Sequence, residues 1–203
     1  MSGLDAVVFD LGNVLLRFDD TIARDRMAAR TGKTAVEIET YFRGTPHVTH
    51  LALGKMTGQR FYRTVSKDLG FDGDYGEFAA IWSEIFTPIE PMLELAAGLA
   101  TRLPRILLSN TNVIHMRYIL DRFPVLQDFD AQILSYEVGL LKPDRAIYEL
   151  TLRQCGLEAG RTLFIDDLRA NVEGALAVGM RAIPFVDAAQ VRQELTKHGV
   201  MPI

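Results

Sequence analysis

The chain of 203 residues contains one cysteine, Cys155, which excludes an intrachain disulfide and a cysteine-cluster metal site. Cys155 falls in an apolar helical pattern, so a packed thiol is expected there rather than a nucleophile. No apolar run is long enough to span a bilayer, and no basic stretch leads into a hydrophobic targeting segment, so a cytoplasmic protein without a membrane partner is expected. Positive charge is not in excess: 22 Lys and Arg against 26 Asp and Glu leave a formal net charge of −4. That balance gives no electrostatic reason to expect nucleic acid or an anionic membrane surface as partner. Histidine is scarce, and no pair among His47, His50, His115 and His198 has metal-ligand spacing backed by other ligands. Internal repeats and low-complexity segments are absent, and nothing fixes an oligomeric state. What remains is a globular composition, 48% hydrophobic and 24% charged, enough for one domain or one domain carrying an insertion.

Against that background one pattern recurs. The apolar run Ala6-Val7-Val8-Phe9 stops at Asp10, followed by Leu11-Gly12-Asn13. This reads as a buried parallel strand delivering a carboxylate to the sheet edge, where open α/β sheets bind ligands. Three later segments repeat the arrangement. Ile106-Leu107-Leu108 leads into Ser109-Asn110, Ile133-Leu134 is followed by Lys142-Pro143, and Leu163-Phe164-Ile165 delivers Asp166-Asp167.

Residues 89–203 alternate helix and strand. Helices are expected over Glu90–Leu103, Val113–Phe123, Arg145–Gly156, Asn171–Gly179 and Ala188–His198. Strands are expected over Arg105–Leu108, Asp130–Ser135, Thr162–Ile165 and Arg181–Val186. With the first strand, this implies an α/β fold with a parallel sheet of at least five members. Residues 17–88 differ: helical stretches near Asp20–Thr31, Ala35–Phe42, Gly58–Leu69 and Tyr75–Ile85 occur without a convincing strand. The expected organisation is a discontinuous core, 1–16 and 89–203, interrupted by an all-helical cap over 17–88. Apolar stripes such as Phe61, Val65 and Leu69, and Trp82, are expected to pack inside the cap.

A nucleophilic carboxylate, a hydroxyl, a lysine and an acidic pair, in that order, suit phosphoryl transfer. Asp10 attacking phosphorus would form an aspartyl-phosphate, splitting one displacement into two; alone it could equally be a strand-end turn residue. Ser109 and Asn110 precede a helix whose N–H groups could hold phosphate oxygens. An ordinary N-cap by Ser109, Asn110, Thr111 or Asn112 is the competing reading. Lys142 is kept out of helical geometry by Pro143, which with Asp144 suits the first turn of a helix. There it could neutralise charge on Asp10 and on the transferred group, or be a solvated loop lysine. Asp166 and Asp167 repel unless a cation compensates them, and Mg2+, with its preference for hard oxygen ligands, suits the need. The alternative is that one of them caps the next helix.

Taken together, Asp10, Ser109, Lys142 and Asp166-Asp167, in the strings FDLGNVLL, LLSNTN, LLKPDRAIYE and FIDDLRANVEGA, resemble the four motifs of the haloacid dehalogenase-like (HAD) superfamily. The likeness is strongest to the branch holding bacterial α-D-glucose-1-phosphate phosphatases and the phosphatase half of soluble epoxide hydrolases. It implies a Rossmann-like core with an inserted helical cap. It makes Asp10 both nucleophile and metal ligand, with the Gly12 carbonyl and Asp167 completing the protein's magnesium ligands. Asp166 would support the site and orient waters or Lys142, while Ser109, the Asn110 backbone and Lys142 would bind the phosphate. Most phosphatases of the superfamily carry a second Asp two residues after the nucleophile as general acid and base, whereas this chain has Gly12. Positioned acid–base groups are worth roughly 10²–10⁴-fold; an anomeric oxygen needs less protonation on leaving, and Asn13 or a cap group is the candidate to position a water. Arg43 resembles in placement a cap arginine of haloacid dehalogenases, although a solvated helix-end residue explains it as well.

The expected function is a Mg2+-dependent phosphatase of a small phosphorylated metabolite, with a sugar phosphate favoured. A 2-haloacid dehalogenase is the alternative; such enzymes also lack the second Asp, but typically replace the acidic pair with serines. A non-catalytic phosphate- or metal-binding module is the third reading.

Overall fold

The structure is a computed structural model describing residues 3–200; the first two and last three residues of the expected core lie outside the described residues. Its centre is a parallel sheet of five strands: β1 (Ala6–Phe9), β4 (Arg105–Ser109), β5 (Ala131–Leu134), β6 (Thr162–Asp166) and β7 (Arg181–Pro184), in the spatial order β5-β4-β1-β6-β7. Helices connect these strands: α6 (Glu90–Leu99), α7 (Val113–Arg122), α8 (Ser135–Val138), α9 (Arg145–Cys155), α10 (Arg169–Ala177) and, last, α11 (Ala188–Lys197).

Side chains alternate across the sheet with a period of two. Val7 and Phe9 enter one buried cluster with Leu107, Leu163 and Ile165, covered by α6, α7 and α11. Ala6 and Val8 enter the opposite cluster with Ile106, Leu108 and Phe164, covered by α9 and α10. β1 and the middles of β4 and β6 are therefore apolar at every position, because both faces are covered. Each fully buried Leu, Ile or Phe stabilises this sandwich by roughly 1.5–3 kcal/mol relative to exposure.

The strand order decides where a ligand can sit. Starting from β1, the chain builds outward through β4 and β5, then returns to the other side of β1 with β6 and β7. The crevice between β1 and β6 is thus a topological switch point, and ligands of open α/β sheets bind outside the carboxyl ends of such strands. Asp10 follows β1 and Asp166 ends β6.

Residues 20–83 form the helices α1 (Asp20–Thr31), α2 (Ala35–Gly44), α3 (His47–Ala52), α4 (Gly58–Leu69) and α5 (Tyr75–Ser83). Side-chain caps start four of them: Asp19, Thr34, Thr57 and Asp74 each accept a backbone N–H. The block has its own apolar cluster, including Met27, Ile38, Phe61, Val65 and Phe78, to which Ile114 of α7 also belongs.

Two elements correct the sequence-based picture. Residues 17–88 are not strand-free, because β2 (Leu16–Phe18) pairs antiparallel with β3 (Phe86–Pro88). This ribbon brings the entry and exit of the helical block side by side. Three residues per strand are too few for a periodic signal, and Pro88 is tolerated because a two-stranded ribbon consists only of edges. Secondly, Pro143 is not in the first turn of α9: Asp144 is the N-cap, accepting from Ala146 N, and Pro143 precedes it.

Polar contacts add to the packing of Ile114 in seating the helical block on the sandwich. Ser135 Oγ is 2.7 Å from Ala52 O and 3.0 Å from Thr111 O, and accepts from Thr111 N at 2.9 Å. Beside it Gly54, at φ 68°, leaves no room for a side chain: a Cβ would lie 2.0 Å from Tyr136 O.

Candidate active site

The ends of β1 and β6 meet at the switch point, where a loop lysine joins them. Backbone pairing carries Asp10 one residue past Phe9, whose partner is Ile165, and Asp10 N donates to Ile165 O at 2.9 Å. Asp10 therefore stands beside Asp166. Lys142 comes from the loop between α8 and α9, and its Nζ lies 2.7 Å from both Asp10 Oδ1 and Asp166 Oδ2. Exposure of the three side chains is 1% for Lys142, 10% for Asp10 and 0% for Asp166, so this is a buried ion cluster. Such a cluster is sustained only if each group is well partnered.

Partnering is uneven, and the unevenness is informative. Asp166 is saturated: besides Lys142, its oxygens accept twice from Asn171 Nδ2, at 2.9 and 3.0 Å, and once from Leu168 N at 2.9 Å. Asn171 is in turn held by the backbone of α10, and its carbonyl accepts from the buried Tyr148 hydroxyl at 2.9 Å. Asp10 differs. Both of its side-chain hydrogen bonds, from Leu11 N and from Lys142, fall on Oδ1 at 2.7 Å. Among the described residues, Oδ2 accepts none. Burial pushes the Asp10 carboxyl above the usual carboxylate range, while the Lys142 ammonium draws it down and Asp166 raises it.

Asp167 is half-buried, and Asn13 Nδ2 donates to its Oδ2 at 3.2 Å. Asn13 adopts a left-handed φ of 55° within the tight turn between β1 and β2, a conformation asparagine tolerates better than most residues. One carboxylate oxygen each from Asp10, Asp166 and Asp167 lies within 4.8 Å of the others. Three carboxylates share one ammonium there, and the surplus of negative charge with hard oxygen donors fits a divalent cation such as magnesium. Asp166 is too fully hydrogen-bonded to be the principal ligand, which leaves Asp10 and Asp167 better suited.

Ser109 is buried at the last position of β4, two residues past Leu107, the partner of Phe9. Its place on the shared sheet edge follows from that register. The N-cap of α7 is Asn112, whose Oδ1 accepts from Ile114 N and His115 N. Asn110 has a task the sequence did not suggest. Its amide clamps the Lys142 backbone, accepting from Lys142 N and donating to Lys142 O, both at 2.8 Å. Asn171 was likewise missed, though its place one turn after Asp166 is the signal that could have found it.

Beside the site, a cavity of about 570 Å3 lies among α1, α2, α5, α7 and the β2–β3 ribbon. Phe18, Phe42 and Trp82 supply apolar walls, and Asp20, Arg24, Glu39 and Arg43 supply charge. Trp82 packs against Phe61 and Phe78 of the block's apolar cluster, as expected, and also lines this cavity. Arg43 is 80% exposed and pairs with Glu39 at 2.7 Å. His115 also lines the cavity, but both ring nitrogens are engaged: Nε2 lies 3.0 Å from Trp82 O and Nδ1 3.0 Å from Asn112 Nδ2. Because Asn112 Oδ1 accepts backbone N–H groups, its Nδ2 must donate, and His115 is neutral with the proton on Nε2. Burial holds its pKa down at about 4. His47 and His50 belong to α3 and do not reach the carboxylate cluster. Cys155, half-buried at the end of α9, packs against the sheet's apolar cluster, and burial raises its thiol pKa.

Comparison with known proteins places this geometry in context. A profile described as haloacid dehalogenase-like hydrolase matches residues 4–179. The chain is 25% identical over 198 residues to the D-ribitol-5-phosphate phosphatase of Bacteroides thetaiotaomicron, covering 94% of this chain and 96% of that protein. It is 26% identical over 206 residues to phosphatase MT3486 of Mycobacterium tuberculosis, covering 96% and 93%. Among solved structures, the magnesium complex of a HAD family enzyme from Bacteroides thetaiotaomicron has a TM-score of 0.85 at 25% identity, covering 97% of this chain and all of that one (100%). The L-2-haloacid dehalogenase of Xanthobacter autotrophicus shares the fold at a TM-score of 0.63 and 20% identity, covering 98% and 85%.

Proposed function

This chain belongs to the haloacid dehalogenase-like hydrolases, and from that starting point we propose that it is a magnesium-dependent phosphatase of a small phosphorylated metabolite, a sugar phosphate above all, acting through an aspartyl-phosphate on Asp10. The observation that carries this reading is the uneven partnering of the buried cluster: Lys142 and Leu11 N hold one Asp10 oxygen and leave the other unpaired. In this reading the chain divides into a catalytic core, 1–16 and 89–203, and a helical cap, 17–88. The separate apolar cluster of the helical block and the ribbon at its base support the division.

The proposed steps follow from the groups present. Ser109 and the Asn110 backbone hold the phosphoryl oxygens at the edge of β4. Asp10 attacks phosphorus through a carboxylate oxygen, the ester P–O bond breaks, and its electron pair leaves with the alcohol oxygen. Water then attacks phosphorus of the aspartyl-phosphate, releasing inorganic phosphate and restoring the carboxylate. Throughout, Lys142 offsets charge on Asp10 and on the transferred group, while Asn110 fixes its backbone and Asp166 its ammonium. Asp10, the Gly12 carbonyl and Asp167 would hold magnesium, with Asn13 orienting Asp167. When bound, the metal supplies positive charge against the surplus carboxylates and polarises the phosphoryl oxygens.

The relatives named as phosphatases support this reading over dehalogenation, and so does an acidic pair in the position where dehalogenases typically carry serines. The experiment that tests it is a magnesium titration of the purified protein against sugar phosphates and 2-haloacids. Phosphate release that requires magnesium is expected. Halide release without metal would replace this function with the dehalogenase one.

A further inference from the structure

Gly12 and Phe18 face one another across the turn between β1 and β2. A Cβ built on Gly12 would lie 3.1 Å from Phe18 Cε1 and 3.3 Å from Cδ1, tighter than ordinary van der Waals contact. A side chain at position 12, two residues from Asp10, would therefore press on the Phe18 ring, which would have to give way by a few tenths of an ångström. The same ring lines the 570 Å3 cavity and is 45% exposed, so one face is available to a ligand. It is not a loose surface group. Phe18 sits on β2 against Phe86 of β3, with ring centroids 6.3 Å apart, and Phe86 packs edge-on to His115 at 5.1 Å. His115 in turn stacks on Trp82 at 5.7 Å. A continuous aromatic row thus fixes the wall shared by the nucleophile loop and the cavity.

The remaining lining narrows what can lie against that wall. Asp20 and Glu39 balance Arg24 and Arg43 in formal charge, with Arg43 and Glu39 paired at 2.7 Å and Arg24 within 4.0 Å of Glu39. A balanced rim offers donors and acceptors to hydroxyl groups without a net charge for a second phosphate or a carboxylate.

Building on the phosphatase reading, we propose that Phe18 is the residue that selects the leaving group: its ring receives the apolar face of an uncharged, ring-shaped alcohol and bars an acidic side chain from position 12. A cyclic polyol has such a C–H face and hydroxyl edges, and an aryl group has the face alone. The wall has no proton to give, Asn13 Nδ2 is engaged with Asp167, and both His115 nitrogens are engaged. When the ester P–O bond breaks, its electron pair goes to the departing oxygen, and water supplies the proton. Good leaving groups are therefore favoured on two counts, by their acidity and by their fit to Phe18.

The test is a leaving-group series in the magnesium-loaded protein, comparing wild type, Phe18→Ala, Gly12→Asp and the double variant. The series contains substituted aryl phosphates, a cyclic polyol phosphate and a linear alkyl phosphate. Wild type should show a steep dependence on leaving-group acidity. Phe18→Ala should lower kcat/KM for ring-shaped leaving groups about tenfold, mainly through KM, with little change for the linear ester. Gly12→Asp should be impaired on every substrate and less stable to urea, and adding Phe18→Ala should relieve both defects. Should Gly12→Asp fail to fold, the single Phe18→Ala profile and the folding of the double variant still decide. Unmoved relative rates in an active Phe18→Ala protein, or strictly additive effects at the two positions, would overturn the proposal alone. A flat dependence on leaving-group acidity would also overturn it, by identifying a proton donor such as Asp20 or Glu39. A wild type that releases no phosphate would overturn the phosphatase reading itself.

Discussion

The carboxyl edge of the sheet and the cavity beside it carry similar numbers of charged groups in opposite circumstances. At the edge, Lys142, Asp10 and Asp166 are at most 10% exposed and are tied to one another and to the backbone. In the cavity, Arg43 is 80% exposed and its partner Glu39 43%. Buried charges at fixed distances can stabilise charge that develops during a reaction, because nothing has to reorganise when it appears. Exposed pairs are screened and mobile, contribute little to stability, and can rearrange around different alcohols. In the proposed reading the difference separates two properties: what the protein does to phosphorus resides in the buried edge, and which ester it accepts resides in the cavity.

Breaking the edge should have the largest effects, and they should differ in kind between partners. Lys142→Ala leaves two buried carboxylates uncompensated, so stability should fall by roughly 3–5 kcal/mol in denaturant titrations. Turnover should fall on the order of 10²–10³-fold or more. Asp10→Asn should abolish turnover without that loss. Burial raises the Asp10 carboxyl in the folded state, so its ionised form opposes folding at neutral pH, and the amide should fold as well as wild type or better. A destabilised Asp10→Asn protein would show that Lys142 depends on this carboxylate for its burial.

Asn171→Ala comes next. It removes two hydrogen bonds from Asp166 without touching Asp10. Supporting contacts around metal and charge sites are worth about 10–100-fold, and that loss should appear in kcat rather than KM. A change confined to KM would place Asn171 among the groups that choose the substrate.

His115, where α7 meets the cavity, sharpens the comparison through pH. Its pKa is held at about 4 in the folded protein, below its ordinary 6.5. The stability that comes from keeping it neutral is complete above about 6.5 and is lost as pH falls toward about 4. Asp10, raised by burial, works in the opposite sense as pH falls. Comparing His115→Phe with wild type cancels Asp10, because both proteins contain it. The variant should lack the acid-side decline attributable to His115; an unchanged slope would show that another group causes it.

The smallest effect belongs to the cavity rim. Arg43→Ala should change stability by no more than about 0.5 kcal/mol and shift KM a few-fold among substrates, leaving kcat on a good aryl phosphate unchanged. A large loss of kcat would move Arg43 from the rim to the reacting phosphate.

The sequence made the sandwich legible because its strands are short apolar runs ending in turn residues, and its helices carry apolar stripes with caps. The positions of Asp10, Ser109 and Asp166-Asp167 were legible for the same reason: each ends or directly follows a strand, and parallel strands share one carboxyl edge, whereas Lys142 arrives from the loop after α8. The β2–β3 ribbon was not, since Leu16-Arg17-Phe18 and Phe86-Thr87-Pro88 are recognisable only through each other. Contacts between distant loops were equally hidden. Nothing local in Asn110 announces that its amide clamps Lys142, 32 residues away. Nor does Gly12 announce that Phe18 fills the space beside it. The resemblance drew attention to an absent carboxylate at position 12; the fold places the edge of an aromatic ring in tight contact with that position.

The central claim, that Asp10 is the nucleophile of a phosphatase, is tested most directly by acid-quenching the magnesium-loaded protein during turnover and mapping its peptides by mass spectrometry. The account predicts one added phosphoryl group on the peptide containing Asp10, lost on mild alkaline treatment and absent from Asp10→Asn. Sustained phosphate release with no phosphoryl group on that peptide, and the same release from Asp10→Asn, would contradict it.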